Sequence, residues 1–132
     1  MWKLTVSPSA CILAALTVLI LPLRWVICAF LAAAFHELCH LWAVKLCGGK
    51  IESFSVGNRG AVLYADNMTA GKALLCTLAG PIGSLCLVLF ARWIPRIAIC
   101  ALIQGLYNLL PIYPLDGGRA IRCIWRNLKN RP

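Results

Sequence analysis

Four long apolar runs, divided by short polar breaks, organise the chain. The first covers 4–23, with Lys3 before it, Arg24 after it, and Trp2 and Trp25 bracketing it as interface-anchoring aromatics do. Pro22 and Arg24 then mark a tight reversal. The second run, 26–46, closes at Lys45 and Gly48-Gly49, glycines being natural helix terminators. The third, 72–91, stops at Arg92 and Trp93, and the fourth, 96–110, opens after Pro95. Apolar runs near 20 residues have the length of membrane-crossing helices. Residues 50–66 behave differently. Lys50 to Val56 alternates loosely, Gly57-Asn58-Arg59-Gly60 is a turn signal, and Ala61 to Ala65 is strand-like. This pattern predicts a short β-hairpin on the membrane surface, whose edge could accept an extended peptide as an added strand. In the tail, Ile121, Ile124, Trp125 and Leu128 share one helical face, with Arg119, Arg122, Arg126 and Lys129 largely on another. That is a basic amphipathic helix over about 118–129, lying in a headgroup layer. The expected fold is therefore an all-α polytopic membrane protein, one domain over 1–132: four transmembrane helices, a short surface β-hairpin between the second and third, and a C-terminal basic amphipathic helix.

Composition agrees with a lipid solvent. The apolar share is 61%, too high for an ordinary soluble domain. The formal net charge is +9, but the charges sit at the ends of apolar runs with no aromatic-interleaved basic groove, so nucleic acid is not an expected partner. A cleaved signal peptide is the rival for the first run; its length and the lack of a small-x-small cleavage site favour an uncleaved helix. Four spans put both termini and the 45–72 loop on one side with ten of the thirteen Lys and Arg residues, which makes that side cytoplasmic. The eight cysteines include no Cys-x-x-Cys and lie mostly within apolar runs, where reduced thiols pack as small hydrophobes.

The chemistry is concentrated in His36-Glu37-Leu38-Cys39-His40. Two histidines four apart share a helical face and can bind one divalent metal, and Glu37 can act as base on the metal's water. These are the chain's two histidines, and Glu37 is one of four acidic residues. Ionisable groups are costly at bilayer depth, and a bound cation compensates them. A third ligand must be Asp, Glu or Cys. Asp116 is the favoured candidate, since it follows the broken backbone of Pro111 and Pro114 and precedes two glycines. Cys39 and Cys47 remain open, whereas Glu52 and Asp66 lie in the polar loop. Zn2+ suits such an N/O set best. Asn108 is a candidate donor to a developing oxyanion. Gly80 and Pro81 in the third run are read either as a packing kink or as a substrate contact.

His36 to His40 in one span, Gly80-Pro81 in a later one, and Asn108-Leu109-Leu110-Pro111-Ile112-Tyr113-Pro114-Leu115-Asp116-Gly117-Gly118-Arg119 at the end carry a resemblance. In order, spacing and setting, over roughly 25–122, the chain resembles the site-2 protease family of intramembrane zinc metalloproteases, in a minimal bacterial form similar to sporulation-type members. The resemblance implies His36, His40 and Asp116 as ligands of one zinc and Glu37 as the catalytic base. It implies cleavage in or near transmembrane segments of membrane-protein substrates, a bacterial cell membrane, and a hairpin that helps present substrate. Many relatives carry Asn shortly after the Gly-Pro; here Ser84 stands near that place, with a shorter reach toward substrate. Relatives often carry a PDZ or CBS domain, and none follows the core here, so gating falls to the core, the hairpin or a separate membrane partner. The rival readings are a metal-binding or transport membrane protein and a non-catalytic scaffold of the same fold.

Overall fold

The computed structural model describes residues 3–6, 8–57, 60–66, 68–113 and 115–129. In chain order the elements are β1 (Lys3–Val6), α1 (Pro8–Ile20), α2 (Leu23–Leu46), β2 (Lys50–Gly57), β3 (Gly60–Asp66), α3 (Ala70–Val88), α4 (Pro95–Asn108) and α5 (Asp116–Lys129).

The first apolar run is not one helix. The sequence pattern predicts a span over 4–23, but the structure divides it into β1 and a 13-residue α1. Lys3-Leu4-Thr5-Val6 alternates as a strand does, and Pro8 suits a helix's first turn, where its missing N–H is not needed. β1 runs parallel to β2, pairing Lys3 with Ser53 through Val6 with Val56. β2 is central and pairs antiparallel with β3, from Lys50 opposite Asp66 to Gly57 opposite Gly60. A register shift between Ile51 and Ser53 leaves Glu52 as the extra residue of a bulge.

α2 ends where its glycines allow. The Gly48 and Gly49 N–H groups donate to the carbonyls of Lys45 and Val44, at 3.1 and 3.0 Å. Gly48 has φ +74°, a left-handed conformation that favours glycine. Among the described residues α2 and α3 are long and apolar enough to cross a membrane. α1 and α4, at 13 and 14 residues, are shorter. They rise about 20 Å, against a hydrocarbon core of about 30 Å.

The packing is inverted relative to a soluble protein. Buried positions are mostly small or polar: Ala32, Ala98, Ala101 and Ala120, with His36, His40, Thr77, Ser84 and Asp116, beside the larger Val44 and Leu115. Large apolar side chains face outward, including Phe30, Trp42, Leu46, Leu89, Trp93 and Ile103. Water would penalise so much contiguous apolar surface, whereas lipid does not. With its two long apolar helices, this marks a membrane-associated chain.

Glycines set the helix spacing. α3 lies between α2 and α4, and a Cβ on Gly83 would collide with the Cys39 thiol of α2. On the other side, a Cβ on Gly105 of α4 would come within 3.1 Å of the Ser84 Cβ. α4 stops at Asn108, two residues short of the expected end of the fourth span, because Pro111 disfavours helical backbone just before it. The chain then crosses directly over the first turn of α5. A Cβ on Gly117 would strike the Leu109 carbonyl, and one on Gly118 would lie 2.5 Å from the Tyr113 nitrogen. The tail helix starts at Asp116 rather than near 118, so Asp116 is its first residue.

Candidate metal centre

Three elements converge on one buried point. The i, i+4 spacing on α2 puts His36 and His40 side by side, ring centroids 4.9 Å apart and nearly perpendicular. α5 brings its first residue, Asp116, to the same point. Asp116 Oδ2 lies 3.1 Å from His36 Nε2 and 3.1 Å from His40 Nε2, and the two Nε2 atoms are 3.2 Å apart. All three side chains are buried. A carboxylate is also favoured there electrostatically, since it stands at the positive end of the α5 dipole.

α3 closes the third side with bare backbone. A Cβ on Gly80 would overlap His40 Nε2 and stand 2.7 Å from His36 Nε2. α3 also orients both rings. The His40 Nδ1–H donates to the Cys76 carbonyl at 2.8 Å. His36 Nδ1 is 2.8 Å from Ser84 Oγ. Pro81 lacks an N–H for the Thr77 carbonyl, so the helical ladder is already broken beside this contact.

The donor set fits a small divalent ion. A carbonyl only accepts, so neutral His40 carries its proton on Nδ1 and presents a lone pair at Nε2. That lone pair faces a carboxylate oxygen and a second imidazole nitrogen, a cluster of ligand atoms that a proton or a metal ion between them would hold together. Atoms bound tetrahedrally to one zinc stand about 3.3 Å apart. The 3.1–3.2 Å separations here are close to that. His36, His40 and Asp116 can therefore hold a metal ion.

The other expected residues fall around this set. Glu37 is half-buried and one step round α2 from His36. Asn108, the last residue of α4, has its Nδ2 3.2 Å from His36 Nε2, at the rim of the ligand set. Cys39 is directed at Gly83, and Cys47 packs with Val44 and Cys76, so neither joins the ligands. The side chains of Glu52 and Asp66 lie outside the described residues.

The candidate substrate contacts Gly80, Pro81 and Ser84 are all buried, which for Gly80 and Pro81 fits the packing alternative. Ser84 is fully buried, with its hydroxyl committed to His36. Gly80 is buried against the histidines, and Pro81 is buried too. These three build the metal site from behind and present no surface to a substrate. Sequence reasoning missed three partners: the Ser84 hydroxyl, the Cys76 carbonyl, and Arg119, whose Nη1 is 3.8 Å from Asp116 Oδ1. Ser84 follows Gly80 by four and Arg119 follows Asp116 by three, so same-face spacing was a usable signal for two of them.

Comparison with known proteins agrees with this geometry. The sequence matches the family model described as Peptidase M50B-like over residues 9–115. It is 28% identical over 109 residues to a zinc metalloprotease of Methanocaldococcus jannaschii, covering 72% of this chain and 32% of that one. It is 33% identical over 111 residues to the Rip3 protein of Mycobacterium tuberculosis, provisionally named a zinc metalloprotease, covering 69% and 28%. The chain thus spans about a third of the length of these curated relatives. The solved site-2 protease from Methanocaldococcus jannaschii superposes with a TM-score of 0.76 at 22% identity, over 96% of this chain and 68% of that one. With a family match running from α1 to the threshold of α5, and a fold shared with that solved structure, the chain belongs to the Peptidase M50B-like family.

Proposed function

We propose that this chain is an intramembrane zinc metalloprotease that hydrolyses peptide bonds in or near membrane-spanning segments of other proteins. The observation that carries the proposal is the meeting of His36, His40 and Asp116 around one buried point, with the half-buried Glu37 next to His36 on α2. In this reading His36, His40 and Asp116 hold one zinc. When bound, zinc supplies Lewis acidity, polarising the scissile carbonyl and bringing a water's pKa down to about 7. Glu37 takes that water's proton and returns it to the leaving amine. Asn108 Nδ2, at the rim of the ligand set, donates to the developing oxyanion. The Cys76 carbonyl keeps the His40 imidazole in the tautomer that binds metal, and the Ser84 hydroxyl holds the His36 ring in place. A helical substrate must unwind locally to expose its carbonyl.

The chain acts as one unit with four membrane passages. The short α1 and α4 cross with the help of flanking apolar residues and local bilayer thinning. The hairpin of β2 and β3 and the tail helix α5 lie at the interface, both termini are cytoplasmic by the distribution of basic residues, and the host is bacterial. The partners are the lipid bilayer, a membrane-spanning protein substrate and a separate regulatory membrane protein.

The test is Glu37→Gln, with a co-expressed membrane-tethered substrate as reporter. Cleavage is expected to fall by a factor of about 10² to 10⁴, the range for losing a general base, with zinc content unchanged. Cleavage that persists in the zinc-loaded variant overturns the mechanism.

A further inference from the structure

We infer that the outer face of α5 seats on an anionic bilayer surface, and that this seating holds Asp116 against the histidine pair. The inference rests on the metal-site reading above and deepens it by naming what controls the third ligand.

The outer face of α5 has two stripes. Ile121, Ile124, Trp125 and Leu128 are all exposed, Trp125 at 73%, and follow i, i+3, i+4, i+7 spacing. Arg122, Arg126 and Lys129, also exposed, repeat one step round the helix. The one acidic residue of α5, Asp116, is buried, so the exposed charge is entirely cationic. Arg122 lies over the exposed Tyr113 ring, 4.5 Å from its centroid, which extends the amphipathic surface onto the preceding loop. An apolar stripe flanked by cations complements acyl chains beneath anionic headgroups. A protein partner would need an acidic groove with an apolar floor, whereas the bilayer is already at hand.

The same helix reaches the metal site. Its first turn is clamped: Asp116 and Ala120 are buried, and Gly117 and Gly118 leave no room beneath the loop. A 14-residue helix is short enough to tilt nearly as a rod about its packed first turn, so seating its exposed end biases where its first residue, Asp116, stands. An anionic surface that fixes that end favours the arrangement with Asp116 on the histidines, and linkage requires metal affinity to rise with it.

The experiment places the full chain in nanodiscs of phosphatidylcholine alone, or of phosphatidylcholine with about a third phosphatidylglycerol. Zinc affinity is measured by competition with a chromophoric chelator. Affinity is expected to be at least about fivefold tighter in the anionic discs, the lower end of ordinary coupling. Raising the salt to about 1 M, where the Debye length is about 3 Å, should shrink the difference. The double variant Arg126→Gln/Lys129→Gln should abolish it, with affinity in the neutral discs unchanged. Equal affinity in both discs for the unmodified chain overturns the inference, as does a lipid effect that survives both high salt and the double variant. Should the double variant fail to incorporate, the lipid and salt comparison on the unmodified chain still decides. Absence of zinc binding in either disc would instead sink the metal-site reading, so the two failures are distinguishable.

Discussion

Gly80→Ala is the sharpest perturbation of the metal centre, because it adds one carbon where the structure has no space. That carbon would overlap His40 Nε2 and come 2.7 Å from His36 Nε2. Relief requires either α3 or the rings to move. α3 cannot shift easily, since its Ser84 is packed against both His36 of α2 and Gly105 of α4. The rings cannot swing without giving up the Cys76 carbonyl and the Ser84 hydroxyl, each 2.8 Å from its Nδ1. Overpacking of this kind costs about 1–3 kcal/mol of stability. Its effect on metal binding should be larger than loss of one orienting contact, which costs about 10–100-fold in affinity. A fall of about 100-fold or more in zinc affinity is therefore expected, read by chelator competition on detergent-solubilised protein. Gly71→Ala is the matched control: the same substitution, in the same helix, with nothing within 4 Å of the added carbon. It should leave zinc affinity alone and change stability by no more than about 1 kcal/mol, in the stabilising direction, from helix propensity. If Gly80→Ala binds zinc as tightly as Gly71→Ala, the close approach of α3 to the histidines is not what shapes the site.

Three further outcomes follow from the same contacts. Ser84→Ala should weaken zinc binding about tenfold and lower unfolding stability by about 1–3 kcal/mol, because the buried His36 Nδ1 loses its hydrogen-bond partner; an unchanged affinity would remove Ser84 from the site. Asp116→Asn keeps the shape but loses the charge that balances the ion, so metal content after dialysis should drop to a small fraction of that of the unmodified chain, whereas full retention would exclude Asp116 as a ligand. Cys39→Ala should leave zinc content unchanged and cost about 1 kcal/mol of packing, and loss of zinc would mean that the thiol reaches the metal after all.

Much of the centre was legible because its signals are local. The four-residue spacing of the histidines implies a shared helical face, and scarcity of acids points to Asp116. What was not legible depends on contacts between distant segments. β1 was absorbed into an apolar run, although the alternation of Lys3 to Val6 and the break at Pro8 mark a strand. Its partner, β2, starts at Lys50, and a parallel pair joined through α1 and α2 has no local signature. Ser84 was read as a shorter-reaching substrate contact because it stands near the Asn that many relatives carry after the Gly-Pro. Its role depends on α3 approaching α2 closely enough to reach His36, which Gly80 and Gly83 permit. Asp116 was placed on the broken backbone after the fourth apolar run, with the tail helix starting only near 118, yet an Asp followed by two glycines and an amphipathic stretch is also a helix start.

That last difference changes how the centre is built. Had Asp116 ended α4, all three ligands would stand on apolar helices fixed by lipid and by one another. As the first residue of α5, it stands on an element whose exposed surface is mixed apolar and cationic, joined to α4 by the irregular stretch from Leu109 to Leu115. The histidines are held by two buried hydrogen bonds to α3, and Asp116 by close packing of glycines under a loop. Hydrogen bonds to a rigid helix fix a ring's orientation, whereas packing under a loop fixes a position only as well as the loop itself is fixed. The two-histidine half of the centre is therefore preorganised, and the carboxylate is its adjustable member. Any influence on metal affinity that originates outside the membrane core should act through α5, and substitutions on the outer faces of α2 and α3 should have no such effect.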